Sequence, residues 1–277
     1  MNDIQAALKN SYDIIWKNFT DRDDYKTLIE DRKTTRKVYY DLINRVFKSF
    51  TNPIVLELGC GTGIDINNVY ESNRNIKPFA SDILPQSVSI GRQVSQSLNN
   101  HIKFFVGDTL ILPIRDNQVD IVFSQGLVEH FENPLTVIKE QARVLKKGGC
   151  LIINVPQKYT GYTLMKKKKM KHNQWDLGWE TEFSYKDLTE FGNRLGLSEV
   201  GVCGYQYWKS WKEPAFVLRD LYDKFHRRNP FKNYKLFVVL RNCYERFWEK
   251  IEQKWGNYFL QNIIIVFQKK NYEDTSR

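Results

Sequence analysis

Between Asp21 and Phe50 the chain carries no Pro or Gly, and Leu28, Tyr39, Leu42, Ile43, Val46 and Phe47 recur near helical spacing. That pattern predicts one long helix or two ahead of the core. A regular alternation comes next. A short apolar run, Ile54 to Leu58, reads as a strand, a helical stretch begins after Gly63, and a second strand lies near Lys77 to Ser81. Gln86 to Leu98 reads as helix, Ile102 to Val106 and Val119 to Ser124 as strands, and Pro134 to Leu145 as a helix that stops at Gly148-Gly149. Leu151 to Val155 is the fifth strand. Strands alternating with helices predict an α/β fold, a parallel sheet covered on both faces.

After Pro156 the pattern changes. Residues 157–183 are polar, basic and aromatic, without strong periodicity, and read as a lid-like loop. Ser184 is placed to cap a helix running to Leu195, with Gly196 as its stop, and Leu197 to Tyr205 reads as a strand. Gln261 to Gln268 reads as the last strand. The stretch between them is far longer than a hairpin loop, and its apolar residues, from Leu218 to Trp255, recur at spacings of three and four. The expected organisation is therefore an N-terminal helical segment (1–50), a core (51–205 with 261–270) carrying the basic loop 157–183, a helical insertion (206–260) and a tail (271–277). No internal repeat is visible.

Composition narrows the class. The 277 residues are 42% hydrophobic and 27% charged, which excludes wholesale disorder, collagen and coiled coil. The longest clean apolar run, Ile263 to Phe267, is far short of the roughly 20 residues that span a bilayer. MNDIQAALKNSY lacks the features of a secretory signal, and the expectation is a cytoplasmic protein, with peripheral contact at the inner membrane face as an alternative. Cys60, Cys150, Cys203 and Cys243 stand tens of residues apart, as reduced thiols do. The net charge of +10 is unevenly spread: residues 1–155 hold 19 Lys+Arg against 18 Asp+Glu, residues 156–260 hold 20 against 12, and residues 261–277 hold 3 against 2. A basic excess confined to one region speaks of what that region meets.

The chemistry concentrates in Val55-Leu-Glu-Leu-Gly-Cys-Gly-Thr-Gly63. An apolar strand running into Gly59, Gly61 and Gly63 turns sharply and brings backbone close to a ligand. The third glycine comes one residue earlier than in a dinucleotide fingerprint, and Glu57 stands two before the first. Asp82 closes the second strand, where a carboxylate can accept both hydroxyls of a ribose. Asp108 closes the third, where it can accept from an adenine amino group or serve as a turn residue.

The succession VLELGCGTG, Ser81-Asp82, GDTLILP (107–113), VDIVFSQGLVEH (119–130) and RVLKKGGCLIINVP (143–156) resembles the class I S-adenosylmethionine-dependent methyltransferases. Among these it is most similar to the type 11 group, which acts on quinones, sugars and other small molecules. The resemblance covers residues 50–156 strongly and 184–205 weakly. It implies a Rossmann-like doubly wound seven-stranded sheet with the last strand antiparallel, and S-adenosylmethionine as cofactor, with S-adenosylhomocysteine as product. It also implies roles. Gly59, Gly61 and Gly63 pass under the methionine and ribose, Glu57 orients the loop and the amino group, and Asp82 holds the ribose hydroxyls. Ile83 packs on the adenine, Asp108 with the backbone of Thr109 and Leu110 reads its edge, and Gln125 and Gly126 border the methionine end.

A sulfonium methyl is already activated, so transfer is an in-line displacement that needs positioning, desolvation and, for a hydroxyl or amine, a base. His130, after the fourth strand, is the first candidate base, and His172 and Glu180 are the others. Trp175 and Trp179 are candidate walls for an aromatic or sugar ring, and Tyr12 and Trp16 for a segment folding over the cofactor. No His, Asp or Glu cluster has metal-ligand spacing. Lys166 to Lys169 with Lys171 reads either as a solvated loop or as an anion site, and residues 206–260 as a cap with membrane contact as an alternative. Three functions stay open: a methyltransferase for a small, possibly anionic acceptor (sugar, quinone precursor or lipid-linked intermediate), an RNA methyltransferase using the basic cap, and a non-catalytic cofactor-binding module.

Overall fold

The computed structural model describes residues 25–172, 174, 175, 180–205, 239, 243, 256, 258 and 260–270. The expectations for Tyr12, Trp16 and Trp179, for nearly all of the insertion 206–260 and for the tail 271–277 lie outside the described residues.

Helices α1 (Tyr25–Thr35) and α2 (Lys37–Phe47) precede the alternation. It runs β1 (Ile54–Leu58), α3 (Ile64–Ser72), β2 (Lys77–Asp82), α4 (Pro85–Ser97), β3 (Lys103–Val106), β4 (Val119–Gln125), α5 (Pro134–Val144) and β5 (Leu145–Pro156). A single 3-10 turn, Val128–His130, lies between β4 and α5. Then come α6 (Gly161–Lys171), α7 (Tyr185–Arg194), β6 (Leu197–Tyr205) and β7 (Asn262–Lys269). The seven strands form one sheet in the order β3-β2-β1-β4-β5-β7-β6. The first five pair in parallel, and β7 runs antiparallel to both β5 and β6.

Side chains on successive strand positions point to opposite faces, and each face has its own core. Val55, Ile121, Ile152 and Ile264 pack with Tyr39 and Ile43 of α2 and Ile66 of α3. Their neighbours Leu56, Val122, Ile153 and Ile265 pack with Val137 and Ile138 of α5 and Leu188 of α7. Each such Ile, Leu or Val, removed wholly from water, contributes about 2 kcal/mol. The described part of the N-terminal helical segment thus shares the core of the sheet.

Two expectations are corrected. The helix after Pro134 ends at Val144, and Gly148-Gly149 lie inside β5. The reason is a competition for carbonyls: Asn117 and Gln118 donate their backbone N–H groups to Arg143 and Val144, at 3.1 and 2.8 Å, which turns the chain into the sheet. Gly149 then passes so near β4 that a Cβ there would stand 2.8 Å from the Asp120 carbonyl, where the β4–β5 register shifts. The second correction is that residues 157–183 are not all loop. Helix α6 is capped by Thr160, whose hydroxyl accepts from the Thr163 N–H at 3.1 Å. Lysines favour helix but mark no apolar stripe, so periodicity cannot reveal them. Ser184 does cap α7 as expected, in a reciprocal pair with Asp187.

Candidate active site

Strand order reverses between β1 and β4, and open α/β sheets bind ligands beyond the carboxyl ends of strands at such a point. A cavity of about 360 Å³ lies there. Of the expected binding residues, Glu57, Gly59, Gly61, Asp82, Ile83, Asp108, Thr109, Gln125 and Gly126 line it, and so does His130. Gly63, Leu110, His172 and Glu180 do not appear in its walls.

The glycine loop joins β1 to α3. Gly59, Gly61 and Gly63 have φ of 64°, 51° and 69°, the left-handed region that L side chains avoid. At two of them the crowding is internal: a Cβ on Gly59 would stand 2.8 Å from Leu127, and one on Gly63 2.9 Å from Phe104. The loop is then fixed by two acids. Glu57 is 2% exposed and accepts from the Ile66 N–H at 3.0 Å, in the first turn of α3. Asp82 accepts from Gly61 N–H and Leu84 N–H, both at 2.9 Å. Each carboxylate oxygen retains a second lone pair for a ligand hydroxyl. Burial pushes both carboxyls up, for Glu57 with the nearby charge of Asp65 adding to it, and for Asp82 against its backbone donors. Ile83 beside it is 49% exposed, an apolar side chain open to the cavity. Asp108 spends one oxygen on the Leu110 N–H at 2.9 Å, which holds its turn, and Thr109 is buried at the wall.

Sequence reasoning missed the wall that the N-terminal helices supply. Arg32 and Arg36 of α1 and the following turn line the cavity and meet Asp65 of α3 at 3.5 and 2.9 Å, and the Tyr40 hydroxyl donates to the same carboxylate. Burial pushes the Asp65 carboxyl up, but the guanidiniums of Arg36 and Arg32 and the Tyr40 hydroxyl outweigh it and hold it below its ordinary value. The i, i+4 spacing of the two arginines was the available signal.

On the opposite side, the 3-10 turn places His130 at the cavity. His172 is exposed at the end of α6, and Glu180 is held by Lys166 at 2.9 Å. Lys166 is itself fully buried, between Glu180 and Glu182, which corrects the reading of 166–171 as a solvated run. Only Lys167, Lys168, Lys169 and Lys171 of that run are exposed. Among the described residues no group of three His, Cys, Asp or Glu could hold a metal ion, and no helix is long and apolar enough to cross a membrane. The four cysteines are free.

The family described as "Methyltransferase domain" matches residues 56–153. Over these residues, the greater part of the β1–β5 core, the chain is similar to the methyltransferases that this family describes. The chain is 35% identical over 105 residues to "Probable tRNA methyltransferase 9B" of Mus musculus, which covers 37% of this chain and 21% of that protein. It is 33% identical over 101 residues to ajmaline N-methyltransferase of Rauvolfia serpentina, covering 36% and 34%. It therefore spans about a fifth to a third of the length of these curated relatives. Geranyl diphosphate methyltransferase in complex with S-adenosylmethionine shares the fold at a TM-score of 0.55 and 11% identity, over 84% of each chain.

Proposed function

We propose that the cavity binds S-adenosylmethionine and that the chain transfers its methyl group to a small-molecule acceptor. The observation that carries this is the convergence, in one cavity, of a left-handed glycine loop with strand-end acids Asp82 and Asp108 and the exposed apolar Ile83. That set suits a ligand with a flat base, a ribose and a charged tail. In this reading Asp82 takes the ribose hydroxyls, Ile83 lies under the adenine, Asp108 and Thr109 face its edge, and Gln125 and Gly126 bound the methionine end. The cofactor, when bound, supplies an activated methyl on a sulfonium. The protein's own part is to position the acceptor, exclude water and receive a proton, for which His130 is within the cavity wall.

An RNA acceptor is the second reading, favoured by the name of the mouse relative. Against it stands the basic run of α6, which spends Lys166 and Lys167 on Glu180 and Glu182 and so offers phosphates less charge than its sequence suggests. Titration calorimetry with S-adenosylhomocysteine tests the cofactor. Binding at micromolar strength or tighter is expected, about −8 kcal/mol, with Asp82→Ala weakening it at least tenfold. Binding of NAD with no response to S-adenosylhomocysteine would refute the reading. A transfer assay with labelled cofactor over small molecules and RNA decides the acceptor class.

A further inference from the structure

Behind the cavity wall lies a buried cluster of polar side chains; its assignment rests on the methyl-transfer reading and names the acceptor. Glu129 stands in the 3-10 turn between Leu127 and His130, both of which line the cavity, and is 3% exposed. Its Oε1 comes within 3.7 Å of where a Cβ on Gly126 would stand, so the carboxyl stands behind Gly126, which lines the cavity, without lining it itself. Its Oε2 is buried without a hydrogen-bond partner.

The Glu129 backbone carbonyl accepts from the Thr181 N–H at 2.8 Å and so draws residues 180–182 against it. There Lys166 meets Glu180 at 2.9 Å and Glu182 at 2.7 Å, and Lys167 meets Glu182 at 3.4 Å. Two lysines answer two glutamates. Glu129 is a third carboxyl, and no ion pair among the described residues includes it. The titratable groups around it are His130 on its own turn, Tyr162 and Lys166 of α6, and Glu180 and Glu182. Burial, with the charge of Glu180 adding and its own backbone N–H and Lys166 opposing, pushes Glu129 up to about 8. The wall holds another polar atom without a partner, the buried Nε1 of Trp175. The Trp175 ring lies 5.9 Å from Lys166 Nζ and meets Tyr162 edge-on at 6.1 Å.

Charge decides which guest fits. An anion would face Glu180 and, once ionised, Glu129. A neutral hydroxyl would satisfy Oε2 yet leave the ionised carboxylate without a counter-charge. An ammonium group supplies the missing charge and three donors, and the faces of Trp175 and Tyr162 attract a cation.

We propose that Glu129 receives the ammonium group of a cationic amine acceptor and takes one of its protons. An N–H bond of the ammonium breaks and its electron pair stays on nitrogen, while an O–H bond forms on the Glu129 carboxylate. The amine is left neutral, with the lone pair that a methyl acceptor requires, and the acid is left neutral in its buried place. This reverses the expectation of an anionic acceptor that the lysine-rich sequence suggested.

The test compares three probes of like shape, phenethylamine, phenethyl alcohol and phenylacetate, by calorimetry on the full chain saturated with S-adenosylhomocysteine. Phenethylamine is expected to bind at least tenfold more tightly than the other two. Its affinity should rise about tenfold between about pH 6 and about pH 8, where the amine stays protonated and Glu129 ionises. Glu129→Gln should flatten that rise and lower amine affinity at the higher pH about tenfold. The probe comparison and the pH profile are read on the native chain, so they hold even if the variant fails to fold. Phenylacetate or phenethyl alcohol binding as tightly as the amine, a flat pH profile, or no amine binding would each overturn the proposal. Titrating the same sample with S-adenosylhomocysteine separates the two readings: loss of that binding removes the methyl-transfer reading itself, whereas intact binding without amine preference removes only this one.

Discussion

The glycine-loop side of the cavity and the lysine side share one sheet edge but are held by different forces. On the first, backbone donors satisfy the acids: Gly61, Leu84 and Ile66 N–H groups reach Asp82 and Glu57. On the second, buried charges satisfy one another in direct contact, Lys166 against Glu180 and Glu182. Backbone donors come with the fold and carry no titratable charge of their own, so on this side only the acids titrate, and burial pushes both of them up. A charge cluster depends on every member, and removing one leaves the others buried and unpaired. The first side is a mould set by backbone geometry, and the second stands only while its buried charges remain paired.

The largest effect should appear on the lysine side. Lys166→Met strips the buried cation from two acids and should destabilise the protein by about 3–5 kcal/mol in urea denaturation near neutral pH. A loss below about 1 kcal/mol would mean that water screens the cluster and that the contrast between the two sides fails. Next in size is His130→Ala. If His130, and not Glu129, receives the acceptor's proton, kcat should fall about a hundredfold, with S-adenosylhomocysteine affinity little changed. Parallel loss of rate and of cofactor affinity would instead assign it to the mould. The smallest effect belongs to the loop. Gly59→Ala forces a side chain into a left-handed backbone, costing about 1–2 kcal/mol, and presses on Leu127 besides. Adding Leu127→Ala should relieve the contact but not the backbone part in thermal unfolding, and complete recovery would show that crowding alone demands the glycine.

What the sequence disclosed obeys the same division. Gly59, Gly61 and Gly63, Asp82 at its strand end and the Ser184 cap are legible because their chemistry is decided within a few residues. Lys166 reads as solvated in the sequence because its partners stand beyond the end of its own helix, and nothing in a run of lysines tells which one turns inward. Glu129 is hidden in a Glu-His pair whose second member is the more obvious base. Gly148-Gly149 resembles a helix stop since glycines commonly are one, but here a neighbouring strand needs the space. The Arg36–Asp65 contact joins segments 29 residues apart, across the first strand.

The order of the strands bears on how the chain is made. Strand β7 is the last in sequence yet lies inside the sheet, between β5 and β6, and Tyr205 at the end of β6 sits opposite Asn262 at the start of β7. As the ribosome delivers the chain from its N-terminus, β1 to β5 can assemble early, whereas β6 has nothing to pair with until residues 262–269 emerge. Until then β5 is an open apolar edge carrying Leu151, Ile153 and Val155, the kind of edge that recruits chaperones or other nascent chains. Completion of the sheet is thus a late event in synthesis. Residues 206–260 leave and re-enter it at two adjacent strand ends, a place where evolution can exchange one insertion for another without redrawing the sheet.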